Sequence, residues 1–378
     1  MRTWRIVNDI NTLSPEQWRL LETGNNPFLS YAFLSGLERF DCLKNQYWQP
    51  AHIAIEEDQQ LLGFMPLYIK QDSYGEFVFD WAWADAYHRA GRPYYPKLVS
   101  AIPFSPVSGP RLLVRQQEKR DEIQNELVRA AISLLDKNRF SSLHVLFPDE
   151  IDFNTLIANS GLKRLTCQYH WFNNDYRDFS DFTDSLSSKK RKNIIKERKK
   201  IQNSGIEIER LTGNEIYPEH WNVFYRFYCA TFYRKWGEPR FTQDFFQHIG
   251  EKLPESTLLI LAKQDNEYIA GAFAMSSNDT LYGRHWGCSK DVPFLHFELC
   301  YYQTIEHTIE SRLKKLDAGV QGEHKLARGF YPVAMPSAHW IRDTDFRHAI
   351  KDYLNSETDM LNEHIAMLKE HLPYKDMI

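Results

Sequence analysis

The chain has 378 residues, with 43% hydrophobic, 25% charged and 14% aromatic residues, which is enough for two domains and excludes a disordered chain. A net charge of −4 gives the molecule as a whole no attraction to nucleic acid or to an anionic membrane. The five cysteines form no C-x-x-C pair, MRTWRIVNDI lacks a signal-peptide pattern, and no run of about 18 apolar residues occurs; the expectation is a cytoplasmic protein with reduced thiols and no membrane span.

In chain order, SPEQWRLLETG starts a helix, with Ser14 as N-cap, Pro15 at the first helical position and Gln17 completing a capping box. A second helix starts at Ser30. HIAIEEDQQLLGFMPLYIK then reads as strand, turn, strand, and GEFVFDWAW as a further strand. A short strand at 111–114, a helix over 118–137, the strand SSLHVLF, a polar helix and a strand over 165–172 follow. The second half repeats this texture in STLLILAKQDNEYIAGAFAMSSNDTLYGRHWGC, where Gly271 occupies the place that Gly63 holds in the first meander. A repeat of roughly 200 residues is too long for a solenoid and reads as two copies of one α/β domain, 1–165 and 166–378.

Within the second copy lies LSSKKRKNIIKERKKIQNSG, expected to be a basic helix over 188–203. Ile194 and Ile201 share one face, the cations wrap the rest, and Gly205 ends the helix before the strand IEIERL. The run is either a solvated face or a helix that contacts phosphate at the border of a cleft. After the second meander, Phe297, Tyr301, Ile305, Ile309 and Leu313 recur every four residues and form the buried stripe of a helix that begins near Pro293. The strand KKLDAGV then empties into QGEHKLARGF. Asp317, Gln321, Glu323, His324 and Lys325 therefore stand at the C-terminal end of a strand, where ligands bind in open α/β sheets, beside the strand that carries Arg284, His285 and Trp286. The chain has no P-loop, no Rossmann fingerprint, no H-E-x-x-H and no G-x-S-x-G, and its histidines and acids show no metal-ligand spacing.

The basic run, the helix from Pro293 and DAGVQGEHKLARGF resemble the acetyltransferase-like families related to the FemABX peptidoglycan aminoacyltransferases, in which a K-x-x-R-N-I-type helix and a D-x-G-x-x-G-x-x-x-K stretch recur. NPFLSYAFLSGLE, FDWAWADAYHRAGRPYYPK and PFSPVSGPRLL resemble the bacterial FemAB-like N-acyltransferases. The resemblance covers most of the chain. It implies two tandem GNAT-like domains and transfer of an acyl group from an activated donor, with acyl-CoA the expected co-substrate and aminoacyl-tRNA the alternative, to an amine acceptor such as a cell-wall precursor, with no tightly bound cofactor. The R/Q-x-x-G-x-G/A loop that cradles the pyrophosphate of CoA in GNAT enzymes is replaced here by GCSKDVP and, in the first copy, by ADAYHRAGRP. For such a reaction Glu323 or His324 is the expected base, Lys325 the charge stabiliser, and Asp317 and Gln321 the residues that orient them. Asp80, Asp85, His88, Tyr94 and Tyr95 are expected to bind the acceptor in the first copy, and Lys189, Lys190, Arg191 and Asn193 the donor. A non-catalytic tandem binding module is the rival reading.

Overall fold

The computed structural model describes residues 1–44, 47–116, 118–234, 237–320 and 322–375. The chain divides into two compact units, Met1–Thr166 with Ala334–Glu363, and Cys167–Val333 with His364–Ile378. The second unit begins at Cys167, and residues 334–363 return to the first unit, which a division into two consecutive stretches, 1–165 and 166–378, does not provide for. The reason is strand pairing: Ser337–Ile341 hydrogen-bonds to Ser142–Leu146 in antiparallel register, a long-range partner that no local pattern announces.

In the first unit, Thr3–Val7, His52–Glu57, Gln60–Met65 and Leu113–Val114 form an antiparallel sheet in that order. A second set comprises Trp48–Pro50, Tyr68–Lys70, Lys97–Ser100, Ser142–Leu146 and the strand Tyr331–Ile341, with Lys97–Ser100 and Ser142–Leu146 parallel. The helix Arg120–Lys137 sets Ile123, Leu127, Ala131 and Leu134 at helical spacing against Ile53, Ile55, Leu98, Leu143 and Val145. Because strand side chains alternate, the neighbours of these apolar residues turn to the other face, and there they are polar: Lys97, Ser142, His144, Ser337 and His339. Ser14 and Ser30 cap their helices as expected, each accepting from the backbone N–H three residues on. Gln17 completes no capping box; its side chain bonds instead to the Gln59 carbonyl and the Leu61 N–H.

GEFVFDWAW is not a strand. Gly75 and Phe77 adopt φ of 80° and 64°, which break an extended chain, and a helix runs over Trp81–Arg89. Leu113–Val114, not this segment, pairs with Gln60–Met65.

In the second unit the sheet order is Ile206–Thr212, Thr257–Gln264, Glu267–Ser276, Thr280–Cys288, Lys315–Asp317 and Leu162–Phe172, the last of these entering the unit at Cys167. Only Thr280–Cys288 and Lys315–Asp317 are parallel. Ile194 and Ile201 of the helix Ser188–Gln202, and Tyr301, Tyr302, Ile305 and Ile309 of the helical run that starts at Leu295, belong to one core with Leu258, Ile260, Leu281 and Leu316. Trp221, Phe224 and Tyr228 of the helix Pro218–Tyr233 form a separate aromatic cluster with Phe246, Phe273 and His285.

The first hairpins of the two units are built alike. Asp58–Gln59 and Asp265–Asn266 both take positive φ at both positions, the backbone of a two-residue type I′ turn. Each hairpin shifts register near its turn, and Gly63 and Gly271 each lie under a helix, where a Cβ would come within 2.5 Å of Ile123 and 3.1 Å of Phe224 respectively.

Candidate functional site

The strand Lys315–Asp317 lies between Thr280–Cys288 and Leu162–Phe172 in the sheet of the second unit. The strand Thr280–Cys288 shifts register against its neighbour, where Phe273 pairs with His285 and Ala274 with Gly283, so Arg284 is the extra residue of a bulge. Bulges re-aim side chains, and here Arg284 grips Asp317, with Nη2 at 2.8 Å from Oδ2 and Nη1 at 3.4 Å from Oδ1. Asp317 Oδ1 also accepts from the Gly319 N–H at 2.8 Å, and His170 lies 3.8 Å away on the next strand. Burial opposes ionisation of Asp317, but the guanidinium prevails and holds its pKa at about 2. Asp317 and Arg284 thus form a buried clamp, each side chain 3% exposed.

The loop held by this clamp carries the next group. The 3₁₀ turn Glu323–Arg328 folds back so that the Lys325 ammonium donates to the Ala318 carbonyl at 2.5 Å. Lys325 is buried; desolvation, offset in part by Asp317, lowers its pKa to about 8. Glu323 and His324, its neighbours on the same turn, are exposed. His324 Nε2 lies 2.8 Å from the Tyr301 hydroxyl, and burial together with Arg328 and Lys325 lowers its pKa, so the imidazole is neutral near neutrality. In the tautomer that donates from Nε2 to Tyr301, Nδ1 keeps a free lone pair.

Arg328 braces the turn. Its Nη1 donates to the His324 carbonyl at 2.9 Å, its guanidinium lies 3.5 Å from the centre of the Phe297 ring, and its Nη2 meets both Glu197 oxygens at 3.1 and 2.9 Å. The Tyr302 hydroxyl donates to the same carboxylate. Phe297, Tyr301 and Tyr302 flank or lie within a π-helical turn over Glu298–Tyr302, a departure from α-helix that is frequent at functional sites.

The structure brings together Asp317, Arg284 and Lys325, with Glu323 and His324 on the outer side of the same turn. Gln321 lies outside the described residues. His285 alternates away from Arg284 and packs among Tyr228, Phe241 and Phe273, with burial depressing its pKa to about 3. Trp286 packs its ring 5.2 Å from that of His296. On the helix Ser188–Gln202, Lys189 and Asn193 are exposed, Lys190 is half-buried, and Arg191 pairs with Asp184 at 2.7 Å.

The acceptor residues expected in the first unit separate. Asp85 and His88 are exposed on the helix Trp81–Arg89, where Asp85 pairs with Arg89 at 3.0 Å. Asp80, in contrast, is buried in a network that also holds Tyr94 and, at its edge, Tyr95. Lys97 Nζ donates to Asp80 at 2.6 Å, Glu76 at 2.9 Å and Ser73 at 2.8 Å, and the Ser73 and Tyr95 hydroxyls lie 2.8 Å apart. The Tyr94 hydroxyl donates to Asp80 at 2.5 Å and lies 3.2 Å from His144 Nε2; His144 Nδ1 meets His339 Nδ1 at 2.6 Å. Burial raises Glu76 to about 7 and lowers His144 to about 3, whereas Lys97 keeps Asp80 below the ordinary carboxylate range against the cost of burial.

Sequence reasoning missed Lys97, Glu76, the histidine pair and the Glu197–Arg328 brace. A signal existed for the histidines: Ser-Leu-His at 142–144 and Ser-Ala-His at 337–339 both place serine and histidine on one strand face. Among the described residues no group of His, Cys, Asp and Glu is arranged to hold a metal, and no helix is long and apolar enough to cross a membrane.

The molecule is a mixed α/β protein of two units, a fold it shares with the solved structure of FemX. The chain belongs to the FemAB-like family, described as peptidoglycan biosynthesis/recognition, which matches residues 9–376. No curated protein matches it in sequence. Among solved structures it is similar to FemX, at 13% identity with a TM-score of 0.51, covering 93% of this chain and 100% of that one. It is also similar to a conserved protein of unknown function from Bacteroides thetaiotaomicron VPI-5482, at 10% identity with a TM-score of 0.51, covering 89% and 99%. A tandem GNAT protein from the clavulanic acid biosynthesis pathway aligns at 10% identity with a TM-score of 0.46, covering 90% and 98%.

Proposed function

We propose that the protein is an acyltransferase that forms an amide on an amine of a peptidoglycan precursor, and that the reaction occurs at the turn Glu323–Arg328. The observation that carries this reading is Lys325: a buried ammonium, fixed by the Ala318 carbonyl, beside two exposed groups able to take a proton. Glu323 or His324 removes a proton from the acceptor ammonium. The free amine adds to the donor carbonyl, and positive charge at Lys325 stabilises the oxyanion that develops. The carbonyl re-forms as the bond to the carrier breaks, and the carrier leaves with a proton.

Family membership supports the cell-wall acceptor. For the donor we favour an aminoacyl ester over acyl-CoA. The segment after Thr280–Cys288, where a CoA-binding enzyme needs a row of backbone N–H donors, contains Asp291, Pro293, which has no N–H, and Phe294.

The test is incubation of the full chain with a soluble precursor peptide bearing a free side-chain amine and, in turn, acetyl-CoA, longer acyl-CoAs and an aminoacyl-tRNA mixture. We expect a new amide by mass spectrometry with the aminoacyl donor. No amide with any donor would overturn acyl transfer; an amide with acyl-CoA alone would overturn the donor. A thermal-shift panel of the same donors separates binding from turnover, since a ligand at about 100 times its Kd adds about 2.7 kcal/mol.

A further inference from the structure

The helix Ser188–Gln202 has two faces of different chemistry. Its inner face is tied down: Ile194 and Ile201 are buried, Arg198 pairs with Glu298 at 3.1 Å and Glu306 at 2.8 Å, and Glu197 receives Arg328. Arg191 is paired with Asp184. Its outer face carries Lys189, Lys192, Lys196, Lys199 and Lys200, all exposed. At 3.6 residues per turn these five fall within an arc of about 100° along roughly 16 Å of helix. Among the described residues none of them has an ion-pair partner. The first turn holds no acid and Ser187 makes no side-chain cap, so nothing local neutralises the positive end of the helix dipole. This field stands on a chain whose net charge is −4, so it is a local feature.

We propose that this lysine stripe docks the protein on an anionic lipid bilayer surface. Three observations favour lipid over RNA. Both arginines of the helix, the side chains with the planar fork suited to bidentate phosphate contacts, are turned to acids of the same unit, while only lysines face outward. The helix has no aromatic residue on which a base could stack. Ile195, at the edge of the stripe, is 38% exposed, an apolar group placed to meet the lipid interface. A row of lysine point charges, of which Lys200 rests 4.9 Å over the centre of the Phe294 ring, suits a diffuse negative surface, where each lysine strengthens binding about fivefold. This surface acts independently of the acyl-transfer reading.

Co-sedimentation of the full chain with vesicles tests it. We expect binding to vesicles of equal parts phosphatidylglycerol and phosphatidylcholine, none to phosphatidylcholine alone, and release by added salt. The variant Lys192→Glu/Lys196→Glu should lose binding by more than about 25-fold, and Lys192→Gln/Lys196→Gln by about 25-fold, with unchanged circular dichroism and melting temperature. Ile195→Ser should weaken binding without changing its salt dependence. Equal binding by the charge variants, or no binding to the anionic vesicles, overturns the proposal. So does unfractionated tRNA that binds the same stripe more tightly than the vesicles at matched ionic strength.

Discussion

At the scale of single residues, two buried charges of the candidate site, Asp317 and Lys325, have opposite expected consequences. Removing Asp317 leaves Arg284 buried without its carboxylate, and breaking a buried pair from one side typically costs about 3–5 kcal/mol. Asp317→Ala should therefore lower the urea midpoint sharply. Among the described residues the Lys325 ammonium makes one hydrogen bond, to the Ala318 carbonyl, and its burial disfavours the charge. Lys325→Met should leave the urea midpoint unchanged or raised, yet lower amide formation by about a hundredfold or more, the usual loss for one group that stabilises an oxyanion. A variant that is unstable but fully active would move Lys325 out of the mechanism.

At the scale of elements, the second unit depends on close approach of a helix to the sheet. A Cβ on Gly287 would lie 1.9 Å from the Phe227 carbonyl oxygen, so the strand Thr280–Cys288 tolerates only glycine there. Gly287→Ala has to push the helix Pro218–Tyr233 away, and overpacking of this kind costs about 1–3 kcal/mol. Gly205 offers the contrast: no atom lies within 4 Å of its Cβ position, and its φ of 71° alone resists substitution. Gly205→Asn, a residue that accepts positive φ, should cost less than Gly287→Ala in parallel urea melts. The brace between elements is testable too. Glu197→Gln keeps the shape but removes the charge facing Arg328, and should lower kcat with little change in circular dichroism if the brace positions the turn.

At the scale of the whole molecule, pH links the two units through their separate buried histidines. His144 and His285 are held near 3, and His339 well below its ordinary value, chiefly by burial. The folded pKa lies below the unfolded one, so the unfolded chain binds more protons as pH falls below about 6.5. Their stabilisation is complete above that value and drains away as pH drops toward the folded values, each group contributing up to about 1.4 kcal/mol per pH unit. Glu76 and Asp152, raised to about 7 by burial, act in the opposite sense between about 4 and 7, but the histidines outnumber them. The urea midpoint should fall from about pH 7 to about pH 5, and fall less in His144→Asn/His339→Asn; a constant or rising midpoint would contradict the assignment.

Local chemistry was enough for much of this. Ser14 and Ser30 cap because a side-chain oxygen reaches its own helix, and the hairpins close at Asp58–Gln59 and Asp265–Asn266 because polar turn residues separate strand-like runs. The GEHKLAR turn was visible because so many ionisable groups at a strand end have no structural use in a plain turn, and the lysine helix because its two isoleucines fall on one face. What the sequence could not determine is which distant group each buried charge meets. DWAW alternates like a strand, yet Asp80 and Glu76 turn inward to Lys97, and the helix Trp81–Arg89 follows from that pairing. Glu197 stands alone among cations until Arg328, 131 residues on, arrives beside it, and His144 finds His339 at a separation of 195. Residues 334–363 join the first unit because Ser337–Ile341 pairs with the distant strand Ser142–Leu146. A buried charge or imidazole is stable only with its partner, and only the tertiary fold brings the partners together.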